Sequence, residues 1–358
     1  MSRGLRWVAA VAALAVFGAL PAVAQATLTF VRMPINLRTP IHPVVWVAED
    51  DGSHARKLVS GTSPHVSPDG NLIAFNPFDA AKGYAFESNL FVGPADGSAP
   101  ATKLMGNWRE PFLLRWSPDS STIAALRGPE LGKRTLVLID VATGAQNAVA
   151  TGYFSGFSFA PQGGQLVYAR AGSEKYPPRS DVFRFEIPIG QPLRYIPPVR
   201  ITHDHRSTYP LWGPNGTIVF VKLLGAKTRR YGPKNELFLM NENGGKVRRL
   251  THTEVDPLLQ GLYPTAWSAN GKRLLTEFEG QDTTYAVTVN PRTGAQRPLV
   301  EAAEQGFLGW ALSADGKLVL GSTAGFEPGP GNDVASIPYT GGKPKILAKN
   351  AFEPSWSR

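Results

Sequence analysis

One unit restricts the possible folds of this chain more than any other feature: an apolar anchor, then Ser-Pro-Asp-Gly, then a β-branched strand. It first appears as Ser63-Pro64-His65-Val66-Ser67-Pro68-Asp69-Gly70, leading into Leu72-Ile73-Ala74-Phe75. It returns around Trp116, Phe159, Trp212, Trp267 and Leu312, and a last copy ends the chain at Trp356. Counting from Val66, the anchors are spaced 50, 43, 53, 55, 45 and 44 residues apart. Self-similarity at such a period marks stacked supersecondary units, each too small to bury both faces alone.

Within a unit, the Pro-Asp-Gly turn supplies a residue able to take positive φ and joins two strands as an inner hairpin. A second pair follows, as at Leu136–Ile139 before Thr143-Gly144 and Leu237–Met240 before Asn243-Gly244-Gly245. The 37 Gly, 31 Pro and only 18% charged residues suit a turn-rich, helix-poor chain. Four strands per unit of about 48 residues describes a propeller blade. Residues 28–32, 43–47 and 56–59 read as strands two to four of a blade whose first strand is supplied by residues 352–357. The expected fold is therefore all-β, a seven-bladed β-propeller closed by the C-terminal strand joining the N-terminal blade; the alternative is six blades.

The W-S-P-D-G-x-x-I-A-F units with Asp-Gly-Ser hairpins between them resemble the Pro-Asp repeats of the TolB-like propellers, over residues 28–358. The resemblance implies a WD40-like ring and says little of function, because the matching residues are turn and core positions. Departures are the lack of the α/β domain that precedes the TolB propeller, and seven expected blades where TolB has six. The peptidases that carry similar propellers have a hydrolase domain with G-x-S-x-G, which does not occur here.

Residues 1–26 read as a secretory signal peptide. Arg3 and Arg6 precede an apolar run from Val8 to Leu20, and small residues offer cleavage near residue 24 or 26. Residues 27–358 are then a single propeller domain with no membrane span, expected in the bacterial periplasm or secreted. The absence of cysteine excludes disulfides, thiolate metal sites and thiol nucleophiles. The net charge of +9 falls to +7 once Arg3 and Arg6 are removed.

Most of that charge gathers in the loops joining second to third strands. Arg127, Lys133, Arg134, Arg170, Lys175, Arg179, Lys222, Lys227, Arg229, Arg230 and Lys234 face only Glu130 and Glu174 there. Adjoining on one rim, they would suit carboxylate, sulfate or phosphate groups, or an acidic protein; otherwise they are a solvated basic surface. Trp108 and Tyr231 are candidate stacking residues for the same ligand. Nucleic acid is not expected, since no recognition module accompanies the charge.

His203, His205 and His252 fall in neighbouring loops and could ligate a divalent metal. Oligogalacturonate lyase, a seven-bladed relative with a histidine-lined metal site, is similar in that respect. The plainer reading makes these histidines solvent-facing or capping residues. Two functions follow. The first is a non-catalytic, monomeric binding module without cofactor, for a protein or an anionic cell-envelope polymer. The alternative is a metal-dependent lyase or hydrolase of an anionic glycan.

Overall fold

The computed structural model describes residues 27–33, 42–78, 88–109, 113–129, 132–174, 179–187, 196–225, 234–253, 261–280, 283–299, 306–313, 315–323 and 331–357. The expected leader and the greater part of the long loops lie outside these residues. The described strands begin with β1 (Thr27–Arg32), β2 (Val44–Glu49), β3 (Arg56–Val66), β4 (Leu72–Pro77), β5 (Leu90–Pro94), β6 (Thr102–Met105), β7 (Trp108–Arg109), β8 (Arg115–Trp116) and β9 (Thr122–Arg127). Next come β10 (Arg134–Asp140), β11 (Gln146–Phe159), β12 (Gln165–Ala171), β13 (Ser180–Glu186), β14 (Val199–Arg200), β15 (Ser207–Trp212), β16 (Thr217–Leu224), β17 (Lys234–Asn241) and β18 (Arg248–Arg249). The last are β19 (Gly261–Trp267), β20 (Leu274–Glu279), β21 (Thr284–Val289), β22 (Gln296–Pro298), β23 (Leu308–Leu312), β24 (Leu318–Ser322), β25 (Val334–Pro338), β26 (Lys345–Ala348) and β27 (Phe352–Trp356). No helix among the described residues is long and apolar enough to cross a membrane.

The chain is all-β, and consecutive strands pair antiparallel, as in the ladder β23-β24-β25-β26. Two strands each serve two sheets without an intervening loop. Residues 56–60 of β3 pair with β2, and its residues 61–66 pair with β4; β11 divides its pairing between β10 and β12 in the same way. Gly61 sits where β3 changes partner, and a Cβ there would lie 2.6 Å from the Asn76 carbonyl oxygen, so the crossing strands approach too closely for a side chain. β27 pairs antiparallel with β1, with Leu28 opposite Trp356, as the sequence expects of its two ends.

The repeated turn has one chemistry in the four copies that carry its serine. The Ser67 hydroxyl donates to Asp69 Oδ1 and accepts from the Leu72 amide at 2.9 Å, while Asp69 Oδ1 accepts from the Asn71 amide at 3.1 Å. The same bonds recur from Ser117 with Asp119, Ser268 with Asn270, and Ser313 with Asp315. The turn residue after the acid or amide takes positive φ, as glycine at 70, 271 and 316 and as Ser120 in the remaining case.

Apolar clusters form between neighbouring sheets. One joins Ala74, Leu90 and Val92 to Ile123, Ala125 and Val137, and another joins Leu28 and Phe30 to Leu320 and Val334. Two anchors also strap one inner strand to the next: Trp116 Nε1 donates to the His65 carbonyl at 3.0 Å and Trp267 Nε1 to the Leu211 carbonyl at 3.4 Å. These inner strands surround a central cavity of about 800 Å³.

Candidate functional site

Of the expected basic residues, Lys175, Lys227, Arg229 and Arg230 lie outside the described residues, as does Tyr231. The structure brings Lys133, Arg170 and Arg179 together around a cleft of about 500 Å³, with Arg200, His205, Asp181 and Phe183. Lys133 and Arg179 enter from the loops before β10 and β13, and Arg170 from the end of β12. The Arg170 guanidinium lies over the Phe183 ring, 4.8 Å from its centroid, which orients its planar donor fork beside the cleft.

The basic arc is narrower than the sequence suggests, because several members are engaged elsewhere. Arg127 donates to Gln146 Oε1 at 2.7 Å, and Arg134 folds back onto the Gly132 carbonyl. Lys222 pairs with Asp204 at 2.7 Å and Lys234 with Glu236 at 3.1 Å. Burial alone would raise the Asp204 carboxyl, but Lys222, the Arg206 amide and the Ser207 hydroxyl together hold it below the usual range. Trp108 is corrected most sharply. It belongs to strand β7, opposite Arg127 of β9, and its indole is 0% exposed within an apolar cluster, so it offers no surface to a ligand.

The floor of the cleft is a buried carboxylate. Asp181, 3% exposed, accepts from Arg200 Nη2, from the Thr202 hydroxyl at 3.2 Å and from the His205 amide at 3.0 Å. Such a charge persists in the interior only when paired and hydrogen-bonded. The same device recurs on the next sheet: Glu236 accepts from Arg249 Nη2, the Thr251 hydroxyl and the Thr253 amide. Thr202 and Thr251 each also accept an amide of the third strand, Val182 and Leu237 respectively. Arg200-Ile201-Thr202-His203 and Arg249-Leu250-Thr251-His252 are thus two copies of one clamp.

That clamp accounts for the histidines. His203 and His252 follow its threonines and are exposed. His205 has φ +57, with Nδ1 2.9 Å from Asp181 Oδ2 and 3.1 Å from Arg200 Nη2. Among the described residues, no group of three or more histidine or carboxylate side chains is placed to hold a metal ion; Glu254 and Asp256, the acids that follow His252 in the sequence, lie outside them. Asp181 and Arg200 were not among the residues the sequence singles out for the cleft. The recurrence of Arg-x-Thr-His after a third strand opening on an acid is the signal that carries them.

No protein-family profile and no curated protein matches this chain. Solved structures do. The β-propeller domain of the trilobed protease from Pyrococcus furiosus superposes with a TM-score of 0.63 at 14% identity, over 90% of this chain and 92% of that one. TolB from Acinetobacter baumannii gives 0.52 at 14% identity, over 92% and 82%. An oligogalacturonate lyase in complex with manganese gives 0.56 at 17%, over 91% and 86%. The fold is that of the TolB-like β-propellers.

Proposed function

We propose that this chain is an exported, non-catalytic β-propeller that binds a protein or an anionic cell-envelope polymer through the cleft of Lys133, Arg170 and Arg179. One observation carries the reading: three cations converge on a cleft whose single carboxylate among the described lining residues, Asp181, is already paired. The fixed orientation of Arg170 on Phe183 favours a planar anionic group such as a carboxylate. Residues 1–26 act as the leader, removed near residue 24 or 26, and the mature chain works as a monomer in the periplasm or medium.

The ring has seven blades and closes through its own ends. Supporting this, the described strands group into seven consecutive sets of four, with β3 and β11 each counted in two sets, β7 and β8 sharing one position and β27 standing first in the set that contains β1. The apolar clusters among the described residues fall one to each boundary between consecutive sets, including the boundary between the last set and the first.

The test uses polygalacturonate and heparin as probes on immobilised mature chain, eluted with a salt gradient. The reading expects salt-sensitive retention, reduced by at least about tenfold in affinity when Lys133, Arg170 and Arg179 are all changed to Ala. A triple variant that binds as the parent does would overturn it, and shortening of polygalacturonate on the column would replace it with the glycan-cleaving alternative.

A further inference from the structure

The central cavity has a chemical character opposite to that of the basic exterior. Its walls carry the indoles of Trp116, Trp267, Trp310 and Trp356, and also Glu277 and Glu353. Glu277 belongs to β20, opposite Tyr263 of β19 and beside the irregularity between Pro264 and Ala266. Its Oε1 is shut off from solvent and has no hydrogen-bond partner among the described residues. An orphaned carboxylate oxygen in such a position is rare in a folded protein, because burial removes water without replacing its hydrogen bonds.

Glu353 reaches the same cavity from β27. It holds φ +50 immediately before Pro354, and its Oε2 accepts the Ser63 amide at 2.6 Å. Ser63 itself holds φ +52 before Pro64. Tyr209 takes φ +47 before Pro210 in the same way, so this conformation belongs to the repeat, and at Ser63 and Glu353 it brings the two residues together at the wall.

The remaining charged lining groups are Asp69, Asp119, Arg115 and His65. Asp69 and Asp119 are occupied by the hydroxyls and amides of their own turns. Carboxylates therefore outnumber cations in a cavity lined in part by tryptophans. Anions are disfavoured there. A hard divalent ion would require six or more oxygen ligands, and the described residues supply no cluster of three potential ligands. Tryptophan side chains beside a carboxylate oxygen that lacks a hydrogen-bond partner select a cation that also has an apolar body.

We propose that the central cavity binds a small organic cation, an ammonium on an apolar body, held by Glu277 and Glu353 and packed against the indoles of Trp116, Trp267, Trp310 and Trp356. The site is separate from the basic cleft, and neither depends on the other. Burial, with a smaller contribution from Glu279, pushes the Glu277 carboxyl up to about 8, and burial pushes Glu353 up to about 7. A bound cation favours the ionised carboxylates, so binding releases protons near neutrality, and affinity for a permanently charged ligand rises with pH. The titratable groups facing Glu277 are Glu279 on its own strand and Tyr263 opposite it on β19, while β21 places Ala286 opposite it and β23 presents none; across the cavity stand Glu353, Arg115, His65, Asp69 and Asp119.

Choline and its neutral carbon isostere 3,3-dimethylbutan-1-ol are suitable probes, read by indole fluorescence and calorimetry on the mature chain. Choline is expected to bind about tenfold or more tightly than the isostere, and about tenfold more tightly at pH 9 than at pH 6. Glu277→Gln should weaken it at pH 9 by about tenfold, and Glu353→Gln should act in the same direction. Lys133→Ala should leave it unchanged. Failure of choline to bind at pH 9, equal binding of the isostere, or parental affinity in both variants would overturn the proposal. If Glu277→Gln does not fold, the isostere, the pH series and Glu353→Gln decide it.

Discussion

Arg249 Nη2 lies 3.0 Å from Glu236 Oε1, and the carboxylate it meets is 0% exposed. Lys234, Thr251 and the Thr253 amide complete its shell, so the charge is satisfied only while each partner stays in place. Arg249→Met should leave a buried charge short of its main counterion and cost about 3 kcal/mol or more. Replacing Glu236 and Arg249 together by Gln and Met should recover part of that loss. Urea denaturation of both single variants and the double variant measures the coupling; strictly additive losses would refute the clamp.

The Glu277 carboxyl makes a prediction about stability against pH. Its folded value of about 8 is raised from 4.5, so the folded chain holds the proton longer than the unfolded chain does. The stability this gives is fully present below pH 4.5 and is lost as pH rises through about 8. Glutamine carries no such penalty. Glu277→Gln should match the parent near pH 4 and exceed it by about 5 kcal/mol well above pH 8, measured by denaturant midpoints without ligand. A constant difference across that range would count against the burial of this carboxylate.

Ser120 stands at φ +62 where three sister turns use glycine. Its hydroxyl accepts the Asp69 amide of the neighbouring turn at 3.2 Å. Ser120→Gly relaxes the backbone but loses that bond, so stability should change by less than about 0.5 kcal/mol. Ser120→Ala loses the bond and keeps the strain, and should be less stable than the glycine variant by about 1 kcal/mol. Thermal melts of the two side by side test the balance.

Removing residues 352–358 should expose the whole hydrogen-bonding edge of β1. The truncated chain should melt less cooperatively and self-associate, as unpaired edge strands do. Size exclusion and calorimetry read both effects, and a synthetic peptide covering residues 349–358 should partly restore the parental melt. Parental behaviour of the truncated chain would mean that the β1–β27 pairing contributes little.

What was legible in the sequence follows from where side chains make local bonds. The Ser67–Asp69 turn and its sisters bond within five residues, so their spacing gave the sheets, and the pairing of residues 28–32 with 352–357 followed from a missing strand. Trp108 was misplaced because its unit begins with two short strands, β7 and β8, where the others have one, and an indole just ahead of an anchor reads as part of a loop. Arg127 and Lys222 looked free because their partners, Gln146 and Asp204, lie 19 and 18 positions away and are brought near only by the sheets. Glu277 was invisible for a related reason. Two acids at alternate positions of one strand, Glu277 and Glu279, read as solvent-facing, and only the arrangement of the sheets brings Glu277 to the wall of the central cavity.

The pairing of Thr27–Arg32 with Phe352–Trp356 also sets a schedule for making the protein. β1 is the first described strand to be synthesised, and one of its two neighbours is the last. Throughout elongation its outer edge has no partner, and Leu28 and Phe30 wait for Leu320 and Val334 to cover them. A chain interrupted anywhere before Phe352 is therefore left with the edge of β1 unpaired and Leu28 and Phe30 short of their full cover.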